Sequence, residues 1–270
     1  MRWFSSAMEG HVLVFDSGVG GLTILEHIQR LSPQLHCSYL FDNLYFPYGE
    51  LADQQLISRV SHIIKQAVEK LQPDIVVIAC NSASTLALPT LRKQLKVPVV
   101  GVVPAIKSAA NYSSSKHFGV LATPGTVERA YTEQLIRDFA SDCQVELIGS
   151  THLVKMAERK LSGEQVSLAS IKQVVLPWLG MDRIDAVVLG CTHFPLLREE
   201  LTQVLGDKVA LIDSGLAIAK RVAHLVGSEG LVEYGQKKVE AHAYCTEAST
   251  NSILLNQLQA YGITSLRLLD

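Results

Sequence analysis

The chain has 270 residues, 48% of them apolar and 19% charged, which fits a globular protein of one large or two smaller domains and excludes a disordered one. Its 24 Lys and Arg against 26 Asp and Glu leave a net charge of −2 with no dense basic run, so nucleic acid is not an expected partner. The opening MRWFSSAMEG lacks the apolar core of a signal peptide, and no run approaches the ~20 apolar residues that span a bilayer, so a cytoplasmic protein without a membrane partner is expected.

Short β-rich apolar runs alternate with longer amphipathic stretches, the pattern of strand-helix units feeding a parallel sheet, and the fold class is therefore α/β. The first predicted strand, 11–16, runs into FDSGVGGLTI (15–24), where Asp16 and Ser17 precede three glycines in four positions. Such a loop brings backbone N–H groups to an anion and opens a helix, and it equally suits a plain tight turn; it is neither the dinucleotide fingerprint nor a P-loop. A strand at 37–42 leads to FPYGEL (46–51), a turn in which Pro47 and Gly49 flank Tyr48. That turn offers N–H groups and a phenol to a ligand, or serves structure alone. A helix is predicted over 52–71, and the strand at 74–80 ends DIVVIACNSAS, delivering Cys80 ahead of Asn81 and Ser82.

Further strands are predicted at 98–103 and at 117–123, the latter ending in Thr123, with a Ser-rich linker at 107–119 before a helix over 125–140 that takes in Thr126. After a strand at 144–150 comes the helical stretch THLVKMAERKL, carrying Glu158, which nothing internal separates from a solvated face residue. The strand at 185–191 ends DAVVLGCTHFP and supplies Cys191, Thr192 and His193. Residues 213–226 mark a return to the first half, and strands at 209–214, 238–246 and 264–269 complete the set.

Five scattered cysteines, Cys37, Cys80, Cys143, Cys191 and Cys245, do not suit a disulfide framework in a chain of this length, and with no Cys-x-x-Cys pair no metal site is expected. Ligands of open parallel sheets sit at the carboxyl ends of strands, where both Cys80 and Cys191 fall. A helix beginning just after each, capped by Asn81 and Ser82 or by Thr192, favours thiolate at such a position. A single cysteine there is usually buried filler, but filler has no reason to recur with polar successors. Cys191 follows Cys80 by 111 residues and Thr123 follows Ser17 by 106, so the halves read as degenerate copies of one unit facing each other across a cleft. The division expected is a first domain of 1–106 plus 214–270 and a second of 107–213.

VFDSGVGGL, FPYG, ACNSAS, LATPGTV and LGCTHFPLL, co-linear over the whole chain, resemble the bacterial glutamate racemases. The resemblance implies two pseudo-symmetric α/β domains with the active site in the cleft between them. It also implies interconversion of L- and D-glutamate without a cofactor, supply of D-glutamate for peptidoglycan, and a homodimer. By the same resemblance Cys80 takes the α-proton from D-glutamate and Cys191 takes it from L-glutamate, with Asp16, His193 and Glu158 assisting. Asp16, Ser17, Pro47, Tyr48, Gly49, Asn81, Ser82, Thr123, Thr126, Thr192 and His193 resemble the substrate-holding set, Ser82 standing where Thr is more usual.

Elementary chemistry agrees: inverting a carbon with two bases needs one group on each face, one ionised and one protonated, and donors to stabilise the emerging carbanion. Pyridoxal phosphate would need a Schiff-base lysine, and no predicted strand end presents one. Two alternatives stay open. An aspartate racemase shares the two-thiol plan, although such enzymes tend toward Cys-Thr-Glu and a Met-Gly-Gly loop where this chain has Cys-Thr-His and Asp-Ser-Gly. A non-catalytic amino-acid binding module would also use two lobes around a cleft.

Overall fold

The computed structural model describes residues 10–181, 183–227, 239–248 and 252–269. The N-terminal segment read for targeting, up to residue 9, and the first residue of the strand predicted at 238–246 lie outside them.

Apolar runs with β-branched residues become strands, and two parallel sheets result. The first contains β1 (His11–Asp16), β2 (His36–Phe41), β3 (Ile75–Ile78) and β4 (Val99–Gly101); the second contains β5 (His117–Ala122), β6 (Gln144–Gly149), β7 (Ala186–Leu189) and β8 (Ala210–Ile212). Two late strands, β9 (Ala241–Cys245) and β10 (Ile263–Leu268), rejoin the first sheet, giving orders β10-β9-β2-β1-β3-β4 and β6-β5-β7-β8. Removing β9 and β10 leaves the same order twice, with β3 matched to β7 and β1 to β5. The duplication inferred from residue spacing is thus a duplication of topology.

Helices fill the connections: α1 (Leu22–Leu31), α2 (Asp53–Leu71), α3 (Asn81–Gln94), α4 (Ile106–Tyr112), α5 (Pro124–Val127), α6 (Ala130–Phe139), α7 (Thr151–Leu161), α8 (Leu168–Val174), α9 (Arg198–Leu205), α10 (Gly215–Leu225) and α11 (Ser252–Ala260). Both faces of each sheet are covered, which is why the strands read as continuous apolar runs. In β1, Val12 and Val14 enter the core shared with α1 and α10, while Leu13 and Phe15 enter the one shared with α2 and α3. In the second sheet Leu121, Val187 and Leu189 pack with α7 and α9, and Phe118, Val120, Ala186 and Val188 with α4. Each of the buried Val, Leu and Phe side chains among these contributes about 1.5–3 kcal/mol.

Two readings of the connections need correction. The stretch 107–119 is not an unstructured linker: all of 107–112 lies in α4, whose Ile106, Ala109 and Ala110 are buried, and β5 begins at His117. The helix predicted over 125–140 is two helices, because the chain turns at Glu128 and Arg129, where Arg129 reaches Thr85 Oγ1 (3.0 Å) on α3. The chain crosses between the sheets after β4 and again before α10. Ser214 Oγ donates to the Val103 carbonyl at 2.6 Å, tying the two crossings together.

Candidate active site

In a parallel sheet all strands deliver their following loops to one edge, and here the carboxyl edges of both sheets face each other. β1 presents Asp16 and Ser17, β3 presents Cys80, β5 presents Thr123 and β7 presents Cys191 with Thr192 and His193. Both thiols are nearly enclosed, each only 6% exposed.

The two strand ends differ in detail. At β3 the helix starts at once, so Cys80 itself occupies the N-cap position ahead of α3, where Asn81 and Ser82 had been expected to cap. At β7 a bend and the 3-10 turn Phe194–Leu197 intervene before α9 begins at Arg198, so Thr192 caps no helix. Its hydroxyl is committed elsewhere, donating to Asp16 Oδ2 across the cleft at 2.9 Å.

Hydrogen bonds connect the thiols in an almost unbroken series. Cys80 Sγ lies 3.9 Å from Ser17 Oγ, and the Ser17 N–H donates to Asp16 Oδ1 at 2.7 Å. Asp16 holds Thr192, whose neighbour Cys191 stands 3.9 Å from His193 Nδ1. His193 Nε2 pairs with Glu158 Oε2 at 2.7 Å, and the same oxygen accepts the Val19 N–H at 3.1 Å. Glycines permit this approach. A Cβ on Gly20 would stand 2.4 Å from His193 Nδ1, and one on Gly18 would stand 2.7 Å from Glu158 Oε2.

Burial sets the electrostatics. It pushes the Cys80 thiol well above its usual range, with the Asp16 charge adding to the shift and the Ala83 N–H and Ser17 opposing it. Burial also raises the Asp16 carboxyl, against the pull of His193, the Ser17 N–H and the Thr192 hydroxyl. At His193 burial acts to lower the pKa, but hydrogen bonds to Cys191 and Glu158, with their charges, outweigh it and hold the imidazole well above its ordinary value. A cation is thereby placed against Cys191 Sγ, and a neutral thiol is favoured at Cys80.

The remaining residues named from sequence divide into groups. Ser82 Oγ and Thr123 Oγ1 meet across the cleft at 3.2 Å, and Thr123 bonds Thr126 Oγ1 at 2.9 Å, so the hydroxyls form one cluster. The Asn81 amide nitrogen is buried beside Cys80 without a protein partner. Gly49 abuts Thr123, and Pro47 precedes the 3-10 turn Tyr48–Glu50. The Tyr48 phenol is not free for a ligand: it donates to Asp42 Oδ2 at 2.6 Å, and burial, reinforced by the Asp42 charge, keeps it protonated.

Several contributors escaped the sequence reading. Tyr39 pins the glycine loop by donating to the Gly18 carbonyl, and Thr23 Oγ1 reaches the Thr192 carbonyl at 3.2 Å. Asp42 and Arg129 lie outside every motif, and only long-range contacts reveal them. Among the described residues no three His, Cys, Asp or Glu side chains gather as a metal-binding group, and no helix is long and apolar enough to cross a membrane.

Comparison with known proteins places this site in context. The family model for Asp/Glu/Hydantoin racemase matches residues 22–222. The glutamate racemase of Shewanella woodyi is 54% identical over 86% of this chain and 86% of its own, and that of Vibrio cholerae is 52% identical over 94% and 95%. Among solved structures, Escherichia coli glutamate racemase in complex with L-glutamate and the activator UDP-MurNAc-Ala superposes with a TM-score of 0.89 at 47% identity, covering 97% of this chain and 98% of that one.

Proposed function

The chain belongs to the Asp/Glu/Hydantoin racemase family, and from that premise we propose that it interconverts L- and D-glutamate by a two-thiol, two-base mechanism, supplying D-glutamate for peptidoglycan. The observation that carries this reading is the matched pair of enclosed thiols at the ends of β3 and β7, joined through Ser17, Asp16 and Thr192. Glutamate is preferred to aspartate because the relatives at 52–54% identity are glutamate racemases. The enzyme reading is preferred to a binding module because simple capture of an amino acid requires no such thiol pair.

Cys191, facing the His193 cation, is the base toward L-glutamate, and Cys80, its proton retained by burial, donates to the opposite face of the carbanion. For D-glutamate the roles exchange. Glu158 positions His193, and Asp16 fixes Ser17 and Thr192 on either side of the substrate. The unpartnered Asn81 amide and the hydroxyls of Ser82, Thr123 and Thr126 suit the substrate's polar groups, and their fixed dipoles in an enclosed cleft stabilise charge on the α-carboxylate as it develops. Pro47, Tyr48 and Gly49 shape the wall, Tyr48 through its ring and backbone. No step calls on a cofactor.

The division into 1–106 plus 214–270 and 107–213 suits this reading, since every strand then shares a domain with its own sheet. A homodimer in the cytoplasm completes the proposal. Circular dichroism of each enantiomer of glutamate and of aspartate tests the activity: glutamate signal should decay from both sides to zero, and faster loss with aspartate would overturn the substrate assignment.

A further inference from the structure

We infer that Asp42, with Arg59 and Thr246, is a positioning clamp that seats the loop 43–50 against the two-thiol site and so couples the C-terminal segment to catalysis. The inference rests on the racemase reading for its kinetic consequence, although the clamp itself stands on geometry alone.

Asp42 follows β2 directly, is fully buried, and its N–H donates to the Asp16 carbonyl at 3.0 Å, so it sits one strand away from the cleft. Each of its carboxylate oxygens takes two donors. Oδ2 accepts the Tyr48 phenol at 2.6 Å and Arg59 Nε at 2.9 Å; Oδ1 accepts an Arg59 terminal nitrogen at 2.8 Å and Thr246 Oγ1 at 2.6 Å. Arg59 comes from α2 and also lies over the Tyr45 ring, 4.2 Å from its centroid. Thr246 comes from the turn after β9, and its hydroxyl also accepts the Leu44 N–H at 3.2 Å. Asn43 completes the attachment, its amide donating to the Glu247 carbonyl at 2.7 Å and its oxygen accepting the Thr246 and Glu247 N–H groups.

A buried carboxylate with this many charge-assisted partners costs a great deal to half-dismantle, so it fixes whatever it holds. What it holds is the loop whose far side forms the site. Phe46 packs on His193 with ring centroids 5.6 Å apart, Tyr48 joins the apolar cluster that includes Cys80, and Gly49 abuts Thr123. One loop thus touches both thiol neighbourhoods, and its anchor lies outside both. The hydrogen bonds of the three clamp residues run to one another, to the loop and to the Asp16 carbonyl, and none reaches Cys80 or Cys191, so they act through the loop and not on substrate.

Thr246→Val is the decisive variant, because it deletes one hydroxyl at the edge of the clamp and leaves the buried Asp42–Arg59 pair intact; Asp42→Asn is the stronger but riskier probe. Iodoacetamide labelling of each cysteine, read by mass spectrometry, accompanies steady-state kinetics. Loss of one hydrogen bond to a charged group should raise the labelling rate of Cys80 and Cys191 about tenfold and raise KM for glutamate by a similar factor, with a smaller change in kcat. Cys37, buried in the core beneath α1, should stay protected, and Thr246→Ser should restore wild-type values. Unchanged labelling of Cys80 and Cys191, or labelling of Cys37 in step with them, would overturn the clamp. Labelling does not depend on turnover, so failure of the glutamate assignment would appear separately, as an inactive wild-type protein.

Discussion

Cys80 and Cys191 occupy matching strand ends in unlike surroundings, one beside Asp16 and Ser17, the other beside His193, and the asymmetry makes residue-level predictions. Cys80→Ser and Cys191→Ser should each lower racemisation by about 10²–10⁴-fold from either enantiomer, because each direction needs both groups. Elimination from a glutamate analogue with a β-leaving group needs one base and should survive in each variant for one enantiomer only. Cys37→Ser should leave racemisation intact, and an equal loss there would mean the wrong thiols are named. The pH profile is a second handle. His193 is cationic below its raised pKa and loses its proton as pH climbs through that value, so activity should fall on the alkaline side. Glu158 is one of the groups holding that pKa up, and Glu158→Gln should therefore move the alkaline limb to lower pH. A limb that stays in place would detach Glu158 from the imidazole. The thiols were legible in sequence because the apolar runs end on them. Glu158 was not, since its helix shows only an unremarkable polar position and its partner His193 lies 35 residues away.

At the scale of elements, the glycine loop between β1 and α1 and the turn after β7 form one unit, each shaped to accept the other. Gly20→Ala would drive a methyl group into His193, displacing it at a cost of about 1–3 kcal/mol in stability and roughly 10²-fold in kcat, readable from thermal melts and initial rates. A variant with wild-type kcat would show that the close approach is not needed. The strands themselves were readable to within about three residues from their apolar β-branched runs; β1 ends at Asp16 as read, and the others end a residue or two early. Capping was the weak point. Asn81, Ser82 and Thr192 have the right side chains for N-caps, yet Cys80 takes the cap at α3, and Thr192 gives its hydroxyl to Asp16, which only the opposing sheet supplies.

Across the whole molecule, the repeated strand order sets two carboxyl edges against each other, and a few bonds span the gap: Ser82 to Thr123, Thr192 to Asp16, Arg129 to Thr85, and Lys155 to Glu50 at 2.6 Å. Arg129 also lies 3.2 Å from Asp53, so its removal should weaken closure of the cleft. Arg129→Ala is expected to raise KM for both enantiomers by about tenfold with a lesser effect on kcat; an unchanged KM would remove it from the closing contacts. The cleft was anticipated from two nearly equal residue offsets, but the contacts across it were not, because no local pattern marks an arginine for a partner on a distant helix.

The most direct measurement is racemisation of L-glutamate in heavy water, with Cα deuterium in each enantiomer followed from the first per cent of conversion. Two thiols on opposite faces predict that D-glutamate carries solvent deuterium from the outset while the remaining L-glutamate keeps its protium. D-glutamate that retains the original hydrogen would mean a single base carrying one proton across the carbon, and would contradict the account.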